Sequence, residues 1–280
     1  MNQDNIVAII QARMASSRLP GKVLRNLAGE PMLVRVVERV RQAKQVNAVM
    51  VATTSDVSDD PVVDLCSRRG YLCWRGSQQD VLDRFYQAAR SLQATVIVRI
   101  TGDCPVVDPV LIDETVQTFS GLGAAPGPFD FAASRLPPPF TRTYPIGQDI
   151  EVCHFSGLER AWREADQGYQ REHVMPFFYE GIQLTGRVQK PDQPGYVDIF
   201  QTRRGFRVVQ LNYEPDFGRL RWTVDTQADL ELLQRIFTLF NGRMDFTWQE
   251  ILELVQREPS LREMNAGVYH KDFRESERPT

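Results

Sequence analysis

Unbroken apolar runs and one-sided helical periods alternate through the first half of the chain. Ile6, Val7, Ala8, Ile9 and Ile10 form a short run rich in β-branched residues, the pattern of a strand buried on both faces. Pro31 to Lys44 sets Met32, Leu33, Val36, Val37 and Val40 on one helical face, with Arg35, Glu38, Arg39 and Arg41 outside. Ala48 to Thr53 reads as a second apolar strand, Val62 to Arg69 as a helix ended by Gly70, and Tyr71 to Trp74 as a short strand. A helix over Gln79 to Leu92 and the strand Thr95 to Ile100 follow, and Asp108 before Pro109 caps the next helix. Strand and helix in alternation predict an α/β fold, a doubly wound and mostly parallel sheet.

The alternation then breaks. Gly121 to Pro139 is rich in Gly and Pro, and its Pro137–Pro139 run fits neither a helix nor a central strand. Phe129 to Ala133 reads as a strand inside this excursion, and Phe140 to Phe155 alternates like a strand with one wet face. Helices are predicted at Ser156 to Gln167, Tyr169 to Tyr179, Leu230 to Phe240 and Thr247 to Gln256. Strands are predicted at Phe206 to Tyr213 and Leu220 to Val224. The expected organisation is one α/β domain over residues 1–257, with an excursion at 121–204. Residues 258–280 would be a tail whose charged end, Lys271 to Thr280, lacks an apolar stripe and frays.

Composition narrows the class. The chain has 280 residues, 42% hydrophobic and 25% charged, ordinary values for a globular domain with a full core. A formal charge of −3 argues against a nucleic-acid binder. Cys66, Cys73, Cys104 and Cys153 form no C-x-x-C pair, so they read as reduced, mostly buried thiols of a cytoplasmic protein. No apolar run approaches a membrane span, and the first residues lack the basic and apolar regions of a signal peptide.

Chemistry concentrates where strands end. Directly after the first strand, Gln11 to Lys22 carries Arg13, Ser16, Ser17, Arg18, Gly21 and Lys22. Polyphosphate binding needs fixed positive charge, hydroxyl donors and free backbone N–H groups, all present in this loop. It is not a P-loop, because no Gly precedes Gly21 by five residues and Val23 follows Lys22; a solvated basic turn has the same composition. Asp103 sits on a turn after a buried strand, and Asp225 where a later strand stops. Each suits a Mg²⁺ ligand and, equally, a cap. Thr53, at another strand end, could read a nucleobase or fill a loop. Asp80 and Asp83 share a helix face, and Asp149 lies on the alternating segment. Arg171, Glu172 and His173 open a helix in the manner of a solvated start.

QARMASSRLPGKVL followed by GEPML resembles the opening signature of the cytidylyltransferases that activate acidic sugars, the acylneuraminate and 3-deoxy-manno-octulosonate enzymes among them. The likeness is closest to the spore-coat-polysaccharide type. RGSQQDVLDRFYQAA, VRITGDCPVVDP and RWTVDTQADLELL extend it over roughly the first 240 residues. The resemblance implies the nucleotide-diphospho-sugar transferase fold, CTP and a sugar acid as substrates, and a homodimer formed through the middle excursion. It implies nucleotide binding by Gln11, Ala12, Arg13, Ser17, Arg18, Lys22, Thr53, Asp80, Thr101 and Gly102, and acceptor binding by Asp149, Arg171 and His173. Asp103 and Asp225 would hold Mg²⁺, and with Arg13 and Lys22 they form the expected catalytic set. Two other functions share the same features: a sugar-nucleotide-dependent glycosyltransferase, disfavoured by the lack of a D-x-D pair, and a silent nucleotide-binding regulator.

Overall fold

The computed structural model describes residues 4–123, 125–191 and 193–269. The Lys271 to Thr280 segment, expected to fray, lies outside the described residues. In chain order, β1 (Ile6–Gln11) leads through a short hairpin, β2 (Asn26–Leu27) and β3 (Glu30–Pro31), to α1 (Met32–Val40). Then come β4 (Ala48–Thr54), α2 (Asp60–Arg69), β5 (Leu72–Gly76), α3 (Val81–Ser91), β6 (Val96–Thr101) and α4 (Pro109–Phe119). The middle of the chain gives β7 (Phe131–Ala133), β8 (Glu151–His154), α5 (Phe155–Glu164), α6 (Gly168–His173), α7 (Pro176–Tyr179), β9 (Gln183–Gln189), β10 (Tyr196–Gln201) and β11 (Arg207–Asn212). Helices α8 (Gln227–Leu239), α9 (Trp248–Arg257) and α10 (Ser260–Glu263) close it.

Among the described residues the main sheet has nine strands in the order β5-β4-β1-β6-β8-β7-β11-β10-β9. β5, β4, β1 and β6 are parallel, β8 runs against both its neighbours, and β9–β10–β11 is an antiparallel meander. The fold is the α/β class expected. β1 lies at the parallel centre, with every residue from Val7 to Ile10 fully buried. Two apolar layers, one on each face of the sheet, explain why its run is unbroken rather than alternating.

Several expected elements differ. The helix over Tyr169 to Tyr179 is two short helices, because Val174 takes φ +69° and breaks the ladder. The wet-faced strand over Phe140 to Phe155 shrinks to β8, buried on both faces, its Glu151 neutralised by Arg99. Leu220 to Val224 is not a strand: Arg221 makes one bridge to Ile146, and the segment runs on beside Asp103. The β9 and β10 strands carry no clear apolar period, since β9 is mostly solvent-exposed. After α9 the chain stays packed, with Leu261 and Asn265 buried.

Candidate active site

The loop after β1 is shaped by its own backbone and tied at both ends. Gly21 takes φ +68°, a left-handed conformation that suits glycine, and its N–H donates to Met14 O at 2.9 Å. Leu19 and Val23 anchor the loop in the core. Met14 N–H donates to buried Asp59 at 2.6 Å, and Thr54 donates to the same carboxylate through both its N–H and its hydroxyl. The β4 end thus braces the loop. Thr53 does not reach the cleft; it is fully buried, and its hydroxyl has no hydrogen-bond partner. Its predicted nucleotide contact is corrected on that ground.

The two aspartates are brought together by the segments that carry them. Val224 N–H donates to Asp103 O at 2.9 Å, and the Thr223 hydroxyl donates to the same carbonyl at 3.0 Å. Between the carboxylates lies the ammonium of Lys22, 2.7 Å from Asp103, 2.8 Å from Asp225 and 2.9 Å from Val224 O. Arg18 reaches Asp225 at 2.9 Å and Arg221 reaches it at 2.6 Å. Burial alone would lower the Lys22 pKa, but Asp103 and Asp225 outweigh it and hold the ammonium above its ordinary value. Burial would likewise raise Asp225, yet Lys22, Arg18 and Arg221 bring it down to about 2. Thr101 donates to Asp103 Oδ1 at 2.6 Å.

These groups floor a cavity of about 630 Å³. Its lining includes Gln11, Ala12, Arg13, Ser17, Arg18, Lys22, Thr101, Gly102, Asp103 and Asp225, so ten of the sequence-predicted residues meet in one place. Gly102 lies so close to β1 that a Cβ there would stand 2.8 Å from Gln11 O. A smaller chamber of about 170 Å³ shares the Gln11–Arg13 wall and is closed by Val81, Arg84, Arg99, Glu172 and His173.

Comparison with known proteins decides the family. A cytidylyltransferase family model matches residues 7–236. The chain belongs to the cytidylyltransferase family. An uncharacterised protein of Methanocaldococcus jannaschii, MJ1063, is 35% identical over 275 residues, covering 97% of this chain and 99% of that one. The Bacillus subtilis spore coat polysaccharide biosynthesis protein SpsF is 31% identical over 262 residues, 91% of this chain and 96% of the relative. A cytidylyltransferase structure from Leptospira borgpetersenii superposes with a TM-score of 0.80 at 29% identity, covering 96% of this chain and all of that one.

In this cytidylyltransferase the donor set suits Mg²⁺. Among the described residues no group of three or more His, Cys, Asp or Glu is placed to hold a metal ion. Two convergent carboxylates fit Mg²⁺, which keeps several waters and uses one or two carboxylates with substrate phosphates. The Lys22 ammonium is itself a cation seated among three oxygens, those of Asp103, Asp225 and Val224.

Other predicted residues serve one another. Asp80 caps α3 by accepting from Asp83 N–H and pairs with Arg171 at 2.7 Å. Arg171 also donates to Trp162 O and Ala165 O, so the pair clasps α6 to α3. Asp149 pairs with Arg142 and, at 3.6 Å, with Arg135, and it lines neither cavity. His173 does line the smaller chamber. Sequence reasoning missed the support behind Asp225. Buried Asp229 accepts from Arg221 at 2.9 Å, from Asn265 at 2.9 Å, and from the N–H groups of Asp225 and Thr226. The sequence signal that could have found it is the Thr226-to-Asp229 spacing of a helix-start capping box, and that box is present. The four cysteines are free; Cys66, Cys104 and Cys153 are buried and Cys73 half-buried. Among the described residues no helix is long and apolar enough to cross a membrane.

Proposed function

We propose that this cytidylyltransferase joins CMP from CTP to an acidic sugar and releases pyrophosphate. The observation that carries the reading is the meeting of Asp103, Asp225 and Lys22 on the floor of a cavity walled by the Arg13–Lys22 loop. Arg13, Ser17, Arg18 and Lys22 would bind the triphosphate, and the Gly102 turn leaves room for it beside β1. Lys22 and Arg18, relieved of the aspartates, would neutralise charge growing on the leaving pyrophosphate. The acceptor hydroxyl oxygen attacks the α-phosphorus in line; the bond to the bridging oxygen breaks, and the hydroxyl proton passes to solvent. Asp103 and Asp225 would hold Mg²⁺, which when bound lowers the pKa of an acceptor hydroxyl and offsets phosphate charge. Holding the reactants in line is the protein's remaining task, and the brace of Arg221 and Asp229 behind Asp225 serves it.

The acidic character of the acceptor is supported by the likeness of the opening signature to the acylneuraminate and octulosonate enzymes. The name of the SpsF relative supports a role in polysaccharide biosynthesis. A homodimer through residues 121–204 and a cytoplasmic setting belong to the same proposal; sedimentation velocity tests the first. Incubation with CTP, Mg²⁺ and a panel of sugar acids, scored for pyrophosphate, tests the reaction. Pyrophosphate with at least one acid is expected. Tight CTP binding with no release from any acid or neutral sugar would favour a silent binding protein instead.

A further inference from the structure

Three neighbouring strands put a polar row into an otherwise apolar face of the sheet. Arg99 on β6 stands in register with Ile9 of β1 on one side and with Glu151 of β8 on the other. Gln11 lies two residues beyond Ile9, hence on the same face and diagonal to Arg99. Arg99 and Glu151 are 8% and 3% exposed. Arg99 Nη1 donates to Glu151, while Arg99 Nε and Nη2 both donate to Gln11 Oε1, at 3.2 and 2.9 Å. A guanidinium offers donors only, so it dictates which end of the amide faces it. The reversed amide would set N–H against N–H. Gln11 Nε2 is therefore the end left for a ligand, in the wall shared by the cleft and the smaller chamber. Glu172, an acceptor on α6, lines that chamber as well.

We propose that Gln11, held by Arg99 and Glu151, selects the nucleobase, a role that rests on the reading of CTP as donor. The amide donates to the acceptor edge of cytosine, O2 and N3, and Glu172 accepts from its exocyclic amino group. Uracil presents N3–H and O4 at the last two positions, so it would meet the amide donor to donor and the carboxylate acceptor to acceptor. A donor set against a donor and an acceptor against an acceptor leave polar groups unpaired, which costs more than a lost contact. Arg99 and Glu151 act through Gln11 and are positioning residues.

Gln11→Glu keeps an oxygen for Arg99 and replaces the two N–H donors by an acceptor, so it is the decisive variant. Calorimetric titration with CTP and with UTP, in Mg²⁺, gives the ratio of dissociation constants. We expect the wild-type protein to prefer CTP, Gln11→Glu to shrink that preference tenfold or more, and Arg99→Met and Glu151→Gln to relax it less. Glu172→Gln is the second arm, on an exposed helical position outside the sheet. Its amide turns either end to the base, so the ratio should also fall. A purely structural row would lower melting temperatures and weaken both nucleotides equally. An unchanged ratio in folded Gln11→Glu, or in Glu172→Gln where the first fails to fold, overturns the proposal. A wild-type protein with no CTP preference would instead overturn the donor assignment beneath it.

Discussion

Three cations converge on Asp225, so Asp225→Asn perturbs the site more cleanly than any other single change. Lys22, Arg18 and Arg221 lie 2.8, 2.9 and 2.6 Å from its oxygens, and its side chain is 15% exposed. Burial favours the neutral acid, but the cations win and the pKa falls from 3.8 to about 2. That drop corresponds to about 2 kcal/mol of interaction favouring the charged form. The folded value lies below the unfolded one, so the contribution is fully present above about pH 5. It fades as pH falls through 3.8 and is gone below about 2. Asparagine does not titrate, and it leaves Lys22 and two arginines facing a neutral group. The variant should therefore be less stable than wild type by about 2 kcal/mol at pH 7, a gap that closes between about pH 4 and pH 2. Urea titrations of both proteins, stepped from pH 2 to pH 7, measure it. A gap that stays constant with pH, or is absent at pH 7, would refute the electrostatic account of the site. Turnover is a separate readout, with a loss on the order of 10²–10⁴.

Lys22→Met removes the ammonium that competes with a divalent cation for Asp103 and Asp225. Mn²⁺ binding without nucleotide, followed by electron paramagnetic resonance, should tighten roughly tenfold while turnover falls. Gly102→Ala would push a Cβ to within 2.8 Å of Gln11 O. It should cost about 1–3 kcal/mol in thermal or urea melts and weaken CTP binding, because the turn and β1 must separate. Arg39 is a contrasting control: it is fully buried and donates to Val107 O, Met244 O and Phe246 O at 2.8, 2.6 and 2.8 Å. Arg39→Met should destabilise the fold by about 3 kcal/mol and leave the CTP affinity of the folded protein unchanged in calorimetry.

The parallel half of the sheet was legible because burial on both faces writes itself as apolar runs, unbroken in Ile6–Ile10 and interrupted only by Arg99 in Val96–Ile100. The loop cations and the strand-end aspartates were legible for a related reason: polar groups crowd where buried strands stop. The antiparallel β9–β10 pair was not, because β9 is held by backbone hydrogen bonds at an exposed edge and needs no apolar period. Nor was the 220–225 segment, which looks like a strand but packs beside Asp103 through isolated backbone bonds. Arg99 and Glu151 hid for another reason. Each looks like a surface charge in one dimension, and only the register of β6 with β8 makes them a buried pair. Thr53 shows the reverse error, since polar residues near a site are as often its scaffold as its contacts.

Cross-neutralisation explains how a site with two opposite tasks stays folded before any substrate arrives. On the proposed reading the loop attracts phosphates and the strand ends attract a cation, and either charge set alone would be costly to bury. Folding joins them: Lys22 and Arg18 belong to the loop, Asp103 and Asp225 to two other segments, and their ion pairs are long-range contacts that close the cleft floor. A triphosphate with its divalent cation offers each set a better partner of the same sign as the one it leaves. Binding then exchanges ion pairs rather than creating uncompensated charge. The loop cations and the aspartates should accordingly bind their ligands cooperatively. In calorimetry, Mg²⁺ should raise CTP affinity in wild type by more than it does in Lys22→Met, where only the Arg18–Asp225 pair still ties the loop to the aspartates. Equal enhancement in the two proteins would show that the loop and the strand ends act independently.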